Sequence, residues 1–186
     1  MSEKSYVLIL LGGVLMNNYA LQHFLGVSSF LGNAKSAAKA ASMGAAVTIV
    51  MVLSALVTWP VQTLVLDKFG LGYLQTLVFM AIILALVYLV DAVVRKTARK
   101  SLGVSFPLIA LNSAVLSLTI DSAAEGLSFP QALVYALGVG LGFLLAMVVF
   151  AGVQTKIEEQ FVPKAFRGLP VSLMATAILS LALFAF

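Results

Sequence analysis

The chain has 186 residues, 62% of them hydrophobic and 10% charged, with a mean hydropathy of +1.11, a net charge of +4, one histidine and no cysteine. A soluble domain carries roughly 45–50% apolar and about 25% charged residues, so this composition excludes a globular cytosolic enzyme, a disordered chain and a nucleic-acid-binding module. It describes an integral membrane protein, and the zero in the cysteine column removes disulfides, thiolate metal sites and cysteine nucleophiles.

The apolar residues fall in six blocks, each near the roughly 20 residues that a spanning helix needs. The first covers about 6–31 and carries Asn17, Asn18, Gln22 and His23; its length, the missing small-residue cleavage signature and the spans that follow argue against a signal peptide. The second covers about 40–66, with Trp59-Pro60 near its end, and the third about 72–94. A basic stretch from Arg95 to Lys100 separates the halves. The fourth covers about 102–120, the fifth about 130–153 and the sixth about 169–186. Backbone groups in lipid must be bonded internally and the alternation of barrel strands is missing, so all six are expected to be helices.

Counting Lys and Arg on alternate sides gives the orientation. Lys4 and Lys68 fall on one side, and the 1–2, 3–4 and 5–6 loops hold the other nine of the 11 basic residues. Positive loops stay in the cytoplasm, which puts both termini outside. The charge of +4 is then orientation and lipid-headgroup attraction, with no nucleic-acid partner implied. Three spans per half, an odd number, means that halves of shared fold would lie inverted, as repeat 1 (about 1–97) and repeat 2 (about 98–186) of a single membrane domain. At an offset of 96 the second and fifth spans align Gly44 with Gly140, Met51 with Met147 and Ala55 with Ala151. Such matches are weak in apolar sequence, and repeat and chance stand level on them.

Polar residues inside the membrane are costly and therefore informative. Asn17 and Asn18 precede a glycine-bearing stretch in the first span, and Pro107 precedes Asn112-Ser113 in the fourth. Asn beside proline or glycine in corresponding spans points to discontinuous helices meeting at the midplane; helix-packing contacts are the alternative reading for each residue singly. His23 reads as interfacial before it reads as a proton relay. Asp91 lies one turn from Arg95, a spacing for a local ion pair ahead of a transport carboxylate. Asp121 and Glu125 read as solvated loop charge. A Walker loop, a dinucleotide fingerprint and a His-plus-nucleophile pair are all missing, so covalent chemistry by this chain alone is not expected.

Asn17-Asn18 through Phe24-Leu25-Gly26, Met43-Gly44 with Ala46-Val47-Thr48, Val94-Arg95-Lys96-Thr97, Leu102-Gly103 with Pro107-Leu108-Ile109, Phe150-Ala151-Gly152 and the closing Val162-Pro163-Lys164 with Phe166-Arg167-Gly168 resemble the RnfA and NqrE membrane subunits. These belong to bacterial Rnf complexes and to the sodium-pumping NADH:quinone reductase. The resemblance covers essentially the whole chain. It implies six helices in an inverted three-plus-three repeat, outside termini, a multi-pass place in the bacterial cytoplasmic membrane, and an RnfE- or NqrD-like homologous partner beside other Rnf/Nqr-type subunits; the broken or re-entrant helices 1 and 4 are expected from the Asn, Gly and Pro pattern above. It also implies a shared two-iron two-sulfur cluster, to which the first and fourth spans each give one cysteine. Those positions fall on Ser28 and Ser113 here, and such clusters are held by thiolates. The pair fits a divergent paralogue that lost the cluster, a cysteine-free variant, or a complex that tolerates an altered site. Ser29, Asn33-Ala34-Lys35, Leu111 and Asp91 also depart from the family pattern and favour divergence.

The expected fold is an all-α membrane domain, and the expected function a membrane subunit of an Rnf/Nqr-like ion-translocating electron-transport complex without its own cluster. Asn17, Asn18, Ser28, Asn112 and Ser113 line its midplane, with His23 and Asp91 as candidate relays. The rival is a small membrane transporter or substrate-binding membrane protein, as a homodimer, with a polar midplane site.

Overall fold

A computed structural model describes residues 6–16, 19, 23, 25–26, 37–97, 109, 112–157 and 162–184. These residues contain helices and no strand. Helix α1 (Tyr6–Leu11) gives way to a π-helical turn over Gly12–Met16. Helix α2 (Ala37–Phe69) has 33 residues and includes a π-helical segment, Gln62–Leu66. A 3₁₀ turn (Gly72–Leu74) leads into α3 (Gln75–Thr97). Then follow α4 (Ser113–Ala124), α5 (Phe129–Lys156) and, after a second 3₁₀ turn at Lys164–Phe166, α6 (Leu169–Phe184).

At 1.5 Å per residue α2 is about 50 Å long and α5, with its 28 residues, about 42 Å, both beyond the roughly 30 Å hydrocarbon core. Among the described residues three helices are long and apolar enough to cross a membrane: Ala37–Phe69, Gly72–Ala92 and Phe129–Lys156. The protein is thus an all-α, multi-pass membrane protein. Helix α4 has only 12 residues, about 18 Å, and cannot cross alone. Asn112, within the fourth expected span, is extended at φ −78° and ψ 110° and immediately precedes α4. Gly26, inside the first expected span, has φ +73°, a left-handed conformation no continuous helix contains.

Helices α2 and α5 make the largest interface and form the core. Both are apolar around their whole circumference, the pattern of a helix with no water-facing side, so small residues decide where they touch. A methyl group at Gly44 would lie 3.0 Å from Leu144 Cα, and one at Gly140 would lie 2.6 Å from Thr48 Cγ2. The Thr48 hydroxyl donates to Gly44 O at 2.8 Å and to Gly140 O at 2.9 Å, a three-centre bond across the helices. These two approaches exchange under the 96-residue offset, which carries Gly44 onto Gly140 and Thr48 onto Leu144. The same offset pairs buried with buried: Ala40 with Ala136, Met43 with Val139, Val50 with Ala146 and Met51 with Met147.

Helix α1 lies against α5 through backbone. A methyl group at Gly138 would sit 2.7 Å from Leu10 O, and one at Gly142 2.8 Å from Val14 O. Helix α4 packs on α2. Helix α3 is the least enclosed of the three long helices, with Leu77, Tyr88 and Leu89 on the outside, and α6 likewise exposes Leu173, Ile178 and Leu181. Those outer faces suit lipid or another subunit.

Candidate functional site

The centre of the site is where the first expected span meets the start of α4. Asn112 is buried, 2% exposed, and caps α4: its side-chain oxygen accepts from Ala114 N at 2.9 Å, satisfying one of the free N–H groups at a helix start. Its own N–H donates to Ile109 O at 3.1 Å. Gly26 comes from the other segment, and its N–H donates to Ser113 Oγ at 3.0 Å. The approach is tight enough that a methyl group on Gly26 would fall 2.6 Å from Asn112 Oδ1 and 2.8 Å from Phe143 Cε2 of α5. Positive φ and lack of room thus call for glycine at this one place.

The structure brings Asn112 and Ser113 together, with Ser113 exposed and Asn112 buried. Asn17, Asn18 and Ser28 lie outside the described residues. Asp91 is half-buried on α3, far along the chain from this turn, and the side chain of Arg95 lies outside the described residues. His23 is exposed, with its ring 5.6 Å from that of Tyr19.

A second polar group was not foreseen. The Tyr19 hydroxyl lies 2.5 Å from Asp121 Oδ2 and 2.8 Å from the Tyr135 hydroxyl, and Ser117 Oγ donates to the same Asp121 oxygen at 3.2 Å. Both tyrosines are 4% exposed. With Asp121 ionised, Tyr19 donates to the carboxylate and Tyr135 donates to Tyr19, a chain running from α5 through the first segment to α4. Asp121 is accordingly half-buried on α4 and hydrogen-bonded, which corrects its reading as solvated loop charge. A small cavity of about 170 Å³ opens among Tyr19, His23, Asp121, Glu125 and Tyr135. The signal available in the sequence was a tyrosine and an aspartate within apolar spans; only the fold reveals that they face each other.

The residues at the central turn do not fit the cluster that the family resemblance implies. Such a cluster is held by soft, ionised thiolates. Ser113 offers a hydroxyl whose oxygen already accepts the Gly26 N–H, and the chain has no cysteine.

A family model described as "Rnf-Nqr subunit, membrane protein" matches residues 6–186. The chain is 45% identical over 186 residues to the RnfA protein of the ion-translocating oxidoreductase complex of Syntrophotalea carbinolica, covering 98% of this chain and 96% of that one. It is 39% identical over 183 residues to the corresponding member of the Na(+)-translocating ferredoxin:NAD(+) oxidoreductase complex of Acetobacterium woodii, covering 97% and 95%. Against the RnfA protein of the ion-translocating oxidoreductase complex of Azoarcus sp. the identity is 40% over 189 residues, covering 100% and 97%.

Proposed function

Because this chain belongs to the Rnf-Nqr family of membrane subunits, we propose that it is the cluster-free form of such a subunit, holding the membrane scaffold of its complex while other subunits carry the electrons. It is a multi-pass membrane subunit of an Rnf-like ion-translocating oxidoreductase complex. Its finer architecture in this reading is six spans in the bacterial cytoplasmic membrane, both termini outside, with repeat 1 at about 1–97 and repeat 2 at about 98–186. The reciprocal packing of Gly44 on Leu144 and Gly140 on Thr48 supports the inverted repeat. The nine basic residues in alternate loops support the orientation.

One observation carries the reading of the centre: the Gly26 N–H donates to Ser113 Oγ at 3.0 Å. It joins the segment that leads to Ser28 to the first residue of α4, and supports Asn17, Asn18, Ser28, Asn112 and Ser113 as lining one midplane site. Ser113 is exposed, and a hydroxyl facing hydrocarbon is unfavourable. A homologous RnfE- or NqrD-like subunit covering this point removes that cost. The serines leave it without ligands for a two-iron two-sulfur cluster of its own. Of the two candidate relays, His23 has the better support, because its ring packs near Tyr19 beside Asp121; Asp91 is the other.

The test restores the ligands. The double variant Ser28→Cys with Ser113→Cys, produced with its partner subunit, is expected to bind iron and sulfide and to give the visible absorption of a two-iron two-sulfur cluster, whereas either single variant gives none. A correctly assembled double variant that stays colourless would contradict this placement of the two serines. A reporter fused after Phe186 checks the orientation: it is expected to be active only outside the cytoplasm, and cytoplasmic activity would overturn the topology.

A further inference from the structure

A cavity of about 350 Å³ lies away from the central turn, between the end of α2 and the connection from α4 to α5. Its lining shares no residue with the central turn or with the Tyr19–Asp121–Tyr135 group. Helices α2 and α5, about 50 Å and about 42 Å long, overhang the roughly 30 Å hydrocarbon core, and the cavity sits where the first ends and the second begins. Trp59 of α2 meets Phe129 at the start of α5 edge to face there, with ring centroids 5.3 Å apart. Lys68 and Asp67 are exposed at the same helix end, and Tyr73 follows them, also exposed. Trp, Tyr and Lys at a helix end are the side chains of the lipid headgroup layer.

The lining holds both uncommitted donors and uncommitted acceptors. Ser122 is 6% exposed, and its hydroxyl has no hydrogen-bond partner among the described residues. The Gln131 amide oxygen accepts from Ser128 N at 3.1 Å and from Ser128 Oγ at 2.8 Å. Those two bonds fix the orientation of the amide, and its nitrogen is left without an acceptor among the described residues. A buried donor left unpaired is costly and calls for an explanation. The hydroxyls of Thr58 and Thr119 spend their protons on Ser54 O and Leu116 O, at 2.7 and 2.8 Å, so they offer the cavity only lone pairs. At the rim, Asp67 Oδ1 accepts from Gln62 Nε2 at 2.7 Å, and the second carboxylate oxygen has no partner among the described residues.

A ligand that satisfies this lining carries an anionic acceptor and a cationic donor a few bonds apart. From this we infer that the cavity binds the aminoethyl phosphate headgroup of a membrane phospholipid. Its phosphate oxygens accept from Ser122 and Gln131, and its ammonium donates to Asp67 and to the threonine oxygens. The buried side chains of Phe79 and Leu127 complete the lining and pack on the carbons of the headgroup. The volume falls within the roughly 300–1,000 Å³ of small-ligand sites. A trimethylammonium has no N–H to give these acceptors, and a headgroup without a cation leaves Asp67 unmatched beside a phosphate of like charge, so the primary amine is the species that fits. A soluble aminoethyl phosphate offers the same groups, and the place of the cavity at the overhanging helix ends favours the lipid. This inference rests on the cavity and stands apart from the cluster-free reading of the central turn.

The protein carries its own reporter, since Trp59 is its single tryptophan and lines the cavity, held by a bond from Nε1 to Leu127 O at 2.8 Å. The experiment titrates the full-length chain, delipidated in detergent, with phosphatidylethanolamine, with phosphatidylcholine and phosphatidylglycerol of the same acyl chains, and with water-soluble glycerophosphoethanolamine. A saturable change in Trp59 emission is expected with phosphatidylethanolamine, and binding at least about tenfold weaker with each of the other three. Ser122→Ala and Asp67→Asn should each weaken phosphatidylethanolamine binding about tenfold, the scale of one lost hydrogen bond to a charged group. Gln131→Glu keeps an oxygen for Ser128 and turns the donor into a carboxylate oxygen; it should weaken binding at least as much, and it keeps the test decisive if Ser122→Ala fails to fold. Equal affinity for the three lipids, equal affinity for the soluble headgroup, no saturable change with phosphatidylethanolamine, or unaltered binding in these variants would overturn the proposal.

Discussion

Replacing Gly26 by alanine probes the contact on which the site depends. The left-handed conformation at φ +73° costs an L-residue about 1–2 kcal/mol. The new methyl group would also lie 2.6 Å from Asn112 Oδ1 and 2.8 Å from Phe143 Cε2, an overpacking of about 1–3 kcal/mol. Pushing Asn112 aside further weakens its cap on Ala114 N, worth about 1 kcal/mol. Together these give a loss of about 3–6 kcal/mol. Gly70 is the natural control, with φ +65° and nothing within 4 Å of where its methyl would be, so Gly70→Ala carries only the conformational part. In thermal unfolding of the full chain in detergent, followed by circular dichroism, Gly26→Ala is expected to lower Tm by about 6–24 °C and Gly70→Ala by about 2–8 °C. Equal losses in the two variants would refute the packing of Gly26 on Asn112 and Phe143.

Tyr19→Phe removes the hydroxyl that bridges Asp121 and Tyr135 and should cost about 1–3 kcal/mol; combined with Asp121→Asn the loss should fall short of the sum by at least about 0.5 kcal/mol in a double-mutant cycle, whereas strict additivity would mean that the two do not interact. At the α2–α5 crossing, Gly140→Ala meets Thr48 Cγ2 at 2.6 Å and should destabilise by about 1–3 kcal/mol. Adding Thr48→Ser, which deletes that methyl and keeps the bond to Gly140 O, should recover part of the loss, and no recovery would place the strain elsewhere.

The membrane class and the helical character were legible because composition and block length alone decide them. The polar and glycine-bearing character of the first and fourth expected spans was legible too, and there the structure finds Gly26 at φ +73° and Asn112 extended ahead of α4. Boundaries were less so. The second helix runs on past Leu66 to Phe69, because Pro60 is absorbed by a change of register and not by termination. The alignment of Gly44 with Gly140 is indistinguishable from chance in apolar sequence; it gains meaning only when each glycine is found against the partner's equivalent, at Leu144 and Thr48. Asp121 was misread for a related reason. Its position near a loop says solvated, but Tyr19 and Tyr135 approach it from elements 102 residues upstream and 14 downstream in the sequence, and no local pattern encodes that meeting.

Iron and acid-labile sulfide, measured in the purified complex that holds the natural chain and its homologous partner, test the central claim most directly. The account predicts no two-iron two-sulfur cluster shared between these two subunits, because Ser28 and Ser113 stand where thiolates are needed. Two irons and two sulfides per pair of these subunits, retained after the other iron-bearing subunits are stripped away, would contradict it.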